Sequence, residues 1–192
     1  MREPNLSWER TIQADAKSVS VKVARSFERR LIESLIEFYT YEFLEMEPPC
    51  SIRREFVGQD CYPPFANLHR YWRIEGFHPL LVRVEGRLAG FALINTHSRC
   101  GGKVELNMAE FFIAREHRGC GVATAAVRLI LAQYPGRWEV AVAEHNVAAK
   151  MFWPRALAAA PNVSRFVRLE GDGKRWRGPI WSVRTAPLDA RS

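Results

Sequence analysis

Residues 117–126 read His-Arg-Gly-Cys-Gly-Val-Ala-Thr-Ala-Ala. Glycine carries an entropic cost inside regular structure. Two of them around one cysteine, where a small-residue helical run begins, therefore mark a backbone that must turn or approach something closely. The N–H groups of a helix's first turn have no partner within the helix, and the positive end of its dipole lies there. A loop of this kind suits a phosphate or pyrophosphate, with Arg118 adding a charge at its rim. A plain strand-to-helix turn that uses glycine for positive φ accounts for the same residues equally well.

The elements that must position this loop can be read from periodicity. Residues 18–24 alternate as a strand. Residues 28–45 place Leu31, Leu35, Phe38/Tyr39 and Phe43 at helical spacing, and Pro48 and Pro49 stop the helix. Residues 47–64 read as a loop, and 65–74 as a short helix. Strands at 80–84 and 88–96 form a hairpin around Glu85-Gly86-Arg87, where Gly86 can supply φ > 0. A strand over 104–113 leads through a helix over 121–134 to an apolar strand over 138–144. That step is a βαβ crossover, so its two strands are expected to be parallel. A helix over 146–160, with Pro154 as a kink or break, precedes strands at 163–169 and 180–185. The expected class is α/β (α+β): a mixed sheet with helices on both faces.

At 192 residues the chain fits a single domain. We expect a polar, flexible arm over 1–17, one domain over 18–185 and a tail over 186–192. The mix of 47% hydrophobic and 26% charged residues is that of an ordinary globular protein. No run of about 18 apolar residues suggests a membrane span, and no secretory pattern opens the chain. Cys50, Cys61, Cys100 and Cys120 show neither metal-ligand spacing nor a disulfide framework. A cytoplasmic protein with reduced thiols, no metal and no membrane partner is the simplest expectation. The formal charge of +7 is spread along the chain rather than gathered into a nucleic-acid motif. It suits attraction to a polyanionic ligand, and a nucleic-acid-associated protein is the weaker alternative.

Among phosphate-binding motifs, a P-loop is excluded because no Lys follows the second glycine. A dinucleotide fingerprint fits Gly119, Gly121 and Thr124, with Glu144 ending the next strand. However, five residues, Ala114 to Arg118, separate the strand from the glycines. Only about 70 residues follow the loop, too few for the remaining units of that fold. Arg118-Gly119-Cys120-Gly121-Val122-Ala123 instead resembles the Arg/Gln-x-x-Gly-x-Gly/Ala signature of the GNAT acetyltransferases. The preceding Glu110-Phe111-Phe112-Ile113 resembles their fourth strand. Residues 146–153, Asn-Val-Ala-Ala-Lys-Met-Phe-Trp, are similar to their Asn-x-x-Ala-x-x-Phe/Leu-Tyr helix. The element order from 18 to 185 matches as well, and the chain resembles a subgroup with no assigned acceptor.

The resemblance implies the GNAT acyl-CoA N-acyltransferase fold, with acetyl-CoA in a cleft where two central strands splay. Backbone of Phe111, Phe112 and Ile113 would bond the pantetheine arm and acetyl carbonyl. The N–H groups of Gly119, Cys120, Gly121, Val122, Ala123 and Thr124 would hold the pyrophosphate. Asn146 would contact the cofactor, and Phe152 would pack near its cysteamine end. Direct acetyl transfer to an amine needs a base, and Glu110 is the candidate. By alternation it shares a face with Met108 and Phe112, where apolar company raises a carboxyl pKa. A structural salt bridge is the alternative. The family's usual Tyr is replaced by Trp153, whose indole N–H is no acid at this pH. Asn146 also fits a helix N-cap. His117 and His145 read as surface or supporting residues, and Cys120 as a loop residue rather than an acyl carrier.

The acceptor pocket is expected from the first helix and the loop after it. Tyr39, Tyr41, Glu42, Glu45 and Glu47 lie there, and acids with aromatics suit a cationic amine. The acceptor class stays open between a small-molecule and a peptide amine, and a homodimer is compatible with the sequence. The alternative from another class is a non-catalytic acyl-CoA-binding regulatory or scaffold module.

Overall fold

The computed structural model describes residues 8–46, 67–102 and 104–187. Strands β1 (Glu9–Ala14) and β2 (Lys17–Val23) are followed by helix α1 (Arg29–Met46), β3 (His78–Val84), β4 (Arg87–Asn95) and β5 (Leu106–Ile113). Helix α2 (Val122–Gln133), β6 (Gly136–Ala141), α3 (Val147–Ala158), β7 (Val163–Glu170) and β8 (Pro179–Thr185) complete the order. The strands form one mixed sheet, β1-β2-β3-β4-β5-β6-β8-β7. The β5–β6 pair is parallel, as a crossover through α2 requires, and the other pairs are antiparallel.

Helices cover both faces. On α1 the residues Ile32, Leu35, Ile36 and Tyr39 pack at i, i+3, i+4 and i+7 against Leu81, Phe91, Leu93 and Phe112. The apolar stripe expected through Phe38 is thus rotated, and Phe38 itself is exposed. On the opposite face α2 and α3 bury Val122, Ala126, Ile130, Trp153 and Leu157 against Val19, Val21, Val82 and Val140. Small residues on α2 let it lie close to the strands. The break expected at Pro154 does not occur, for α3 runs through it. Proline there removes one N–H donor, but the buried Trp153, Ala156 and Leu157 hold the helix on the sheet.

The polar N-terminal arm is corrected over 9–14, which form β1, paired with β2 from Glu9↔Lys22 to Ala14↔Lys17. Its composition is polar because β1 is an edge strand, and only Ile12 and Ala14 turn towards the core. The connecting turn places Asp15 and Ala16 at positive φ. The β3–β4 hairpin turns at Glu85 and Gly86, both at positive φ, matching the twist of its strands. The short helix expected over 65–74 is a 3-10 turn at Leu68–Trp72. The loop expected over 47–64, with the stop at Pro48 and Pro49, lies outside the described residues. So do Glu47, Cys50, Cys61, Phe65, residues 1–7 and residues 188–192. Cys100 and Cys120 carry free thiols. Among the described residues no helix is long and apolar enough to cross a membrane.

Two irregularities shape the centre of the sheet. The β4–β5 register jumps between Leu93↔Glu110 and Ile94↔Met108, so Ala109 is an extra residue in β5. Such a bulge bends its strand and sharpens the twist. In addition, β6 pairs with β5 only at Leu106↔Trp138 and Asn107↔Glu139. Beyond that point β6 stays with β8 as far as Ala141↔Ile180, while β5 stays with β4. The two parallel strands splay and open a cleft.

The β4–β5 contact that holds one side of this cleft depends on Gly90. A Cβ there would stand 2.1 Å from the Phe112 carbonyl oxygen and 2.8 Å from Ile113 Cδ1. Overpacking of this kind costs about 1–3 kcal/mol. Gly90→Ala should therefore lower Tm by several degrees in a thermal melt, whereas Gly102→Ala, which meets nothing within 4 Å, should leave it in place. Equal melting of the two variants would contradict the close approach.

Candidate active site

The cleft runs between the splayed ends of β5 and β6, with α1 on one flank and the start of α3 on the other. Its volume of about 170 Å³ is room for a few waters or the end of a chain-like ligand. Tyr39, Asn107, Glu110, Phe111, Asn146 and Trp153 are among the residues that line it.

Glu110 lies on the wall formed by β5. The bulge at Ala109 overturns the expected strict alternation. Glu110 and Phe112 face α1, where Tyr39 meets both, whereas Met108 packs in the core on the α2–α3 side. The Tyr39 hydroxyl donates a 2.6 Å hydrogen bond to Glu110 Oε2. Burial pushes the Glu110 carboxyl up to about 7, while the Tyr39 hydrogen bond and the positive charge of Arg99 pull in the other direction. A carboxyl poised near neutrality beside an open strand edge can take a proton and return it. No salt bridge engages Glu110, so the structural alternative for this acid finds no partner among the described residues.

The glycine loop follows β5 through a 3-10 turn at Arg115–His117. Gly119 and Gly121 both adopt φ of 75°, and Gly121 is the N-cap of α2. Having no side chain, this cap leaves the first-turn N–H groups, from Val122 to Thr124, to outside acceptors. A Cβ on Gly121 would touch Ala14 and Asp15 of the β1–β2 turn at 3.6 Å. Those are ordinary contact distances, and it is the left-handed φ that calls for glycine there. Val122 is buried beneath the loop, and Cys120 Sγ bonds the His117 carbonyl at 3.3 Å.

Arg118 departs from the expected rim charge. Its Nε donates to the Ile113 carbonyl at 2.6 Å, its Nη2 pairs with Glu42 at 2.8 Å, and its guanidinium lies 5.4 Å from the Phe112 ring. Arg115 pairs with Glu42 and Glu45. Glu42 and Glu45 thus tie α1 to the loop instead of lining an acceptor pocket, and Tyr41 is exposed. Of the acceptor residues expected from α1, only Tyr39 reaches the cleft.

On the opposite wall, Asn146 Oδ1 accepts from the Ala149 N–H at 2.9 Å and caps α3, while its residue also borders the cleft. Phe152 stacks on Phe111 at 6.0 Å between ring centres, and the buried Trp153 meets Phe111 at 5.5 Å and lines the cleft. His117 contacts Glu116 and His145 is exposed, both away from the cleft.

A polar group that no motif marks lies at the cleft's inner end. Asn107 Nδ2 donates to Asn95 Oδ1 at 2.9 Å, and Asn95 Nδ2 donates to the Tyr71 hydroxyl at 3.1 Å. Burial pushes the Tyr71 phenol up to about 12, so it stays protonated. Arg99 and Trp176, from loops far apart in the chain, meet at the mouth with the guanidinium 5.1 Å from the ring. Nothing in the local sequence around any of these residues signals the contact.

The chain matches the family model described as Acetyltransferase (GNAT) family over residues 32–158. No curated protein matches its sequence. Among solved structures it is similar to RimJ of Mycobacterium smegmatis in complex with CoA-disulfide, at TM-score 0.58 and 20% identity, covering 93% of this chain and 87% of that one. It is also similar to an acetyltransferase from Thermus thermophilus, at TM-score 0.60 and 16% identity over 88% and 97% of the two chains. The GNAT domain of S. lividans PAT aligns at TM-score 0.57 and 18% identity over 93% and 97%. At these identities the likeness carries the fold.

The Tyr39–Glu110 pair sets a titration that can be followed directly. With ¹³C-labelled glutamate, the Glu110 carboxyl should titrate at about 7 by NMR. Tyr39→Phe removes a donor that favours the ionised form, so the midpoint should move to higher pH. A midpoint in the ordinary glutamate range, or one that Tyr39→Phe leaves in place, would contradict the geometry.

Proposed function

The chain belongs to the GNAT acetyltransferase family, and from that premise we propose that it is an acetyl-CoA-dependent N-acetyltransferase acting on a primary amine by direct transfer within a ternary complex. The observation that supports this reading best is Glu110, held by Tyr39 on the cleft wall beside the edge of β5 that β6 has left.

The residues present fit the cofactor. The N-terminus of α2 has no side-chain cap, and its backbone N–H groups from Gly119 to Thr124 suit a pyrophosphate. Phe111 borders the opening for the pantetheine arm, with Phe112 next along the strand, and the Ile113 carbonyl is already taken by Arg118. Asn146 and the Phe111–Phe152 stack flank the far side. Bound there, acetyl-CoA supplies an activated acyl group and a thiolate leaving group.

The acceptor amine arrives as an ammonium and must shed one proton before its lone pair can attack. Glu110, as the carboxylate, takes that proton. A second proton leaves the nitrogen once the C–N bond has formed and the C–S bond has broken. Of these two protons one ends on the sulfur and one in solvent. Protonated Glu110 can return its proton to the sulfur, so Trp153 need not act as an acid. Trp153 packs against Phe111 and Phe152 and keeps the cleft wall apolar.

The replacement of the family's Tyr by Trp153 is also the one observation that favours a non-catalytic acyl-CoA-binding module. Release of free CoA in the presence of an amine panel separates the two readings. Under the catalytic reading, kcat/KM should fall as pH drops through about 7, because protonation removes the base. Glu110→Gln should lower turnover by roughly 10²–10⁴-fold, abolish that limb and keep CoA affinity. Retained turnover with an intact acidic limb would remove Glu110 from the mechanism, and CoA binding without release on any amine would favour the binding module.

A further inference from the structure

We propose that the acceptor is an amine carrying its own carboxylate, and that Arg99 at the cleft mouth is the residue that binds it. This rests on the acetyltransferase reading above and names the acceptor class for that same site.

Three observations carry it. The first is the state of the charges. Arg115 and Arg118 are neutralised by Glu42 and Glu45, whereas Arg99 has no carboxylate partner among the described residues. Its guanidinium lines the cleft and lies close enough to Glu110 for its charge to act on that carboxyl. With Glu42 and Glu45 committed elsewhere, the cleft offers no second acid to a dication among the described residues, and a cationic tail would face Arg99 as a like charge.

The second is that Arg99 is held in place. Buried Glu139 accepts from Ser98 Oγ at 2.6 Å, from the Arg99 N–H and from the Cys100 N–H, which fixes the loop after β4. The guanidinium rests on Trp176, whose own Nε1 donates to the Val142 carbonyl at 3.2 Å. Asp172, the acid of that neighbouring turn, is occupied by the N–H groups of Lys174 and Arg175 at 2.9 and 2.7 Å. A guanidinium resting on a ring, its donors without a hydrogen-bond partner among the described residues, suits a planar carboxylate.

The third is a place for the amine. Asn107 Oδ1 and Thr40 Oγ1 are buried and without hydrogen-bond partners among the described residues, and both side chains line the cleft with Glu110. Unpaired buried acceptors are costly, and an amine N–H relieves them. The nitrogen end of the acceptor sits by Glu110, Asn107 and Thr40, and its anionic end by Arg99.

The test uses the full chain and a series of ω-amino acids of increasing length, each paired with the plain alkylamine lacking the carboxylate. In the wild type, kcat/KM should favour one or more amino acids over their partners. Arg99→Gln should lower that preference by roughly 10–100-fold, mainly through KM, and Arg99→Lys should restore part of it. Using the ratio cancels any change that loss of the Arg99 charge imposes on Glu110, since both members of a pair need the same base. Calorimetric binding of the amino acids to the CoA-loaded protein is read alongside. Turnover with a preference for plain alkylamines, or a preference that Arg99→Gln leaves unchanged, overturns the proposal while the transferase reading stands. Binding of amino acids that depends on Arg99, without turnover on any amine, supports the site and refutes the transferase reading. Neither binding nor turnover with any member of the series overturns the proposal.

Discussion

The structure depends on a parallel strand pair that is allowed to be a pair for only two residues. β5 and β6 hydrogen-bond at Leu106 and Asn107 and then part, because each is held on its outer edge by an antiparallel neighbour. The bulge at Ala109 bends β5 at the point of parting. Backbone N–H and C=O groups in the middle of a sheet cannot be left dry without cost. The inner edge of β5 therefore faces a water-filled or ligand-filled cleft, and α2 begins just beyond the end of β5 with its first-turn N–H groups uncapped.

Electrostatics around that opening separate into two groups with different tasks. Outside it, Glu42 and Glu45 meet Arg115 and Arg118, and the Arg118–Ile113 bond closes the loop onto the end of β5. Exposed pairs of this type contribute little stability individually, and their value lies in fixing where the loop sits relative to α1. Inside it, Glu110 is separated from these partners and held by Tyr39, whose ring packs edge-on against Phe91 and Phe112. The same helix α1 supplies both the acids that pair with the loop and the phenol that holds Glu110. A shift of α1 would therefore disturb loop position and base strength together.

Local periodicity made much of this legible. The α1 and α2 helices, the hairpin at Gly86 and the crossover follow from spacing within a short window, and the two motifs around Gly119–Gly121 and Asn146 from their resemblance to the family's signatures. What was not legible is non-local or breaks periodicity. Leu-Asn-Met-Ala-Glu-Phe-Phe-Ile carries no sign of a bulge, so Met108 and Glu110 read as sharing a face when they lie on opposite ones. Arg118 reads as a free charge because Glu42 is distant in sequence, and Arg99 and Trp176 read as unrelated loop residues. β1 was hidden by its exposure, since an edge strand can keep a polar composition.

The central claim is that the parting of β5 and β6 and the uncapped start of α2 together form one cofactor site. The most direct measurement is a CoA titration of ¹⁵N-labelled protein followed by amide NMR. A single site requires large shifts at the N–H groups of Gly119 to Thr124 and of Ala109 to Phe112, saturating with a single midpoint. If those amides stay in place while CoA binds, or shift with different midpoints, the cleft and the loop are not one site.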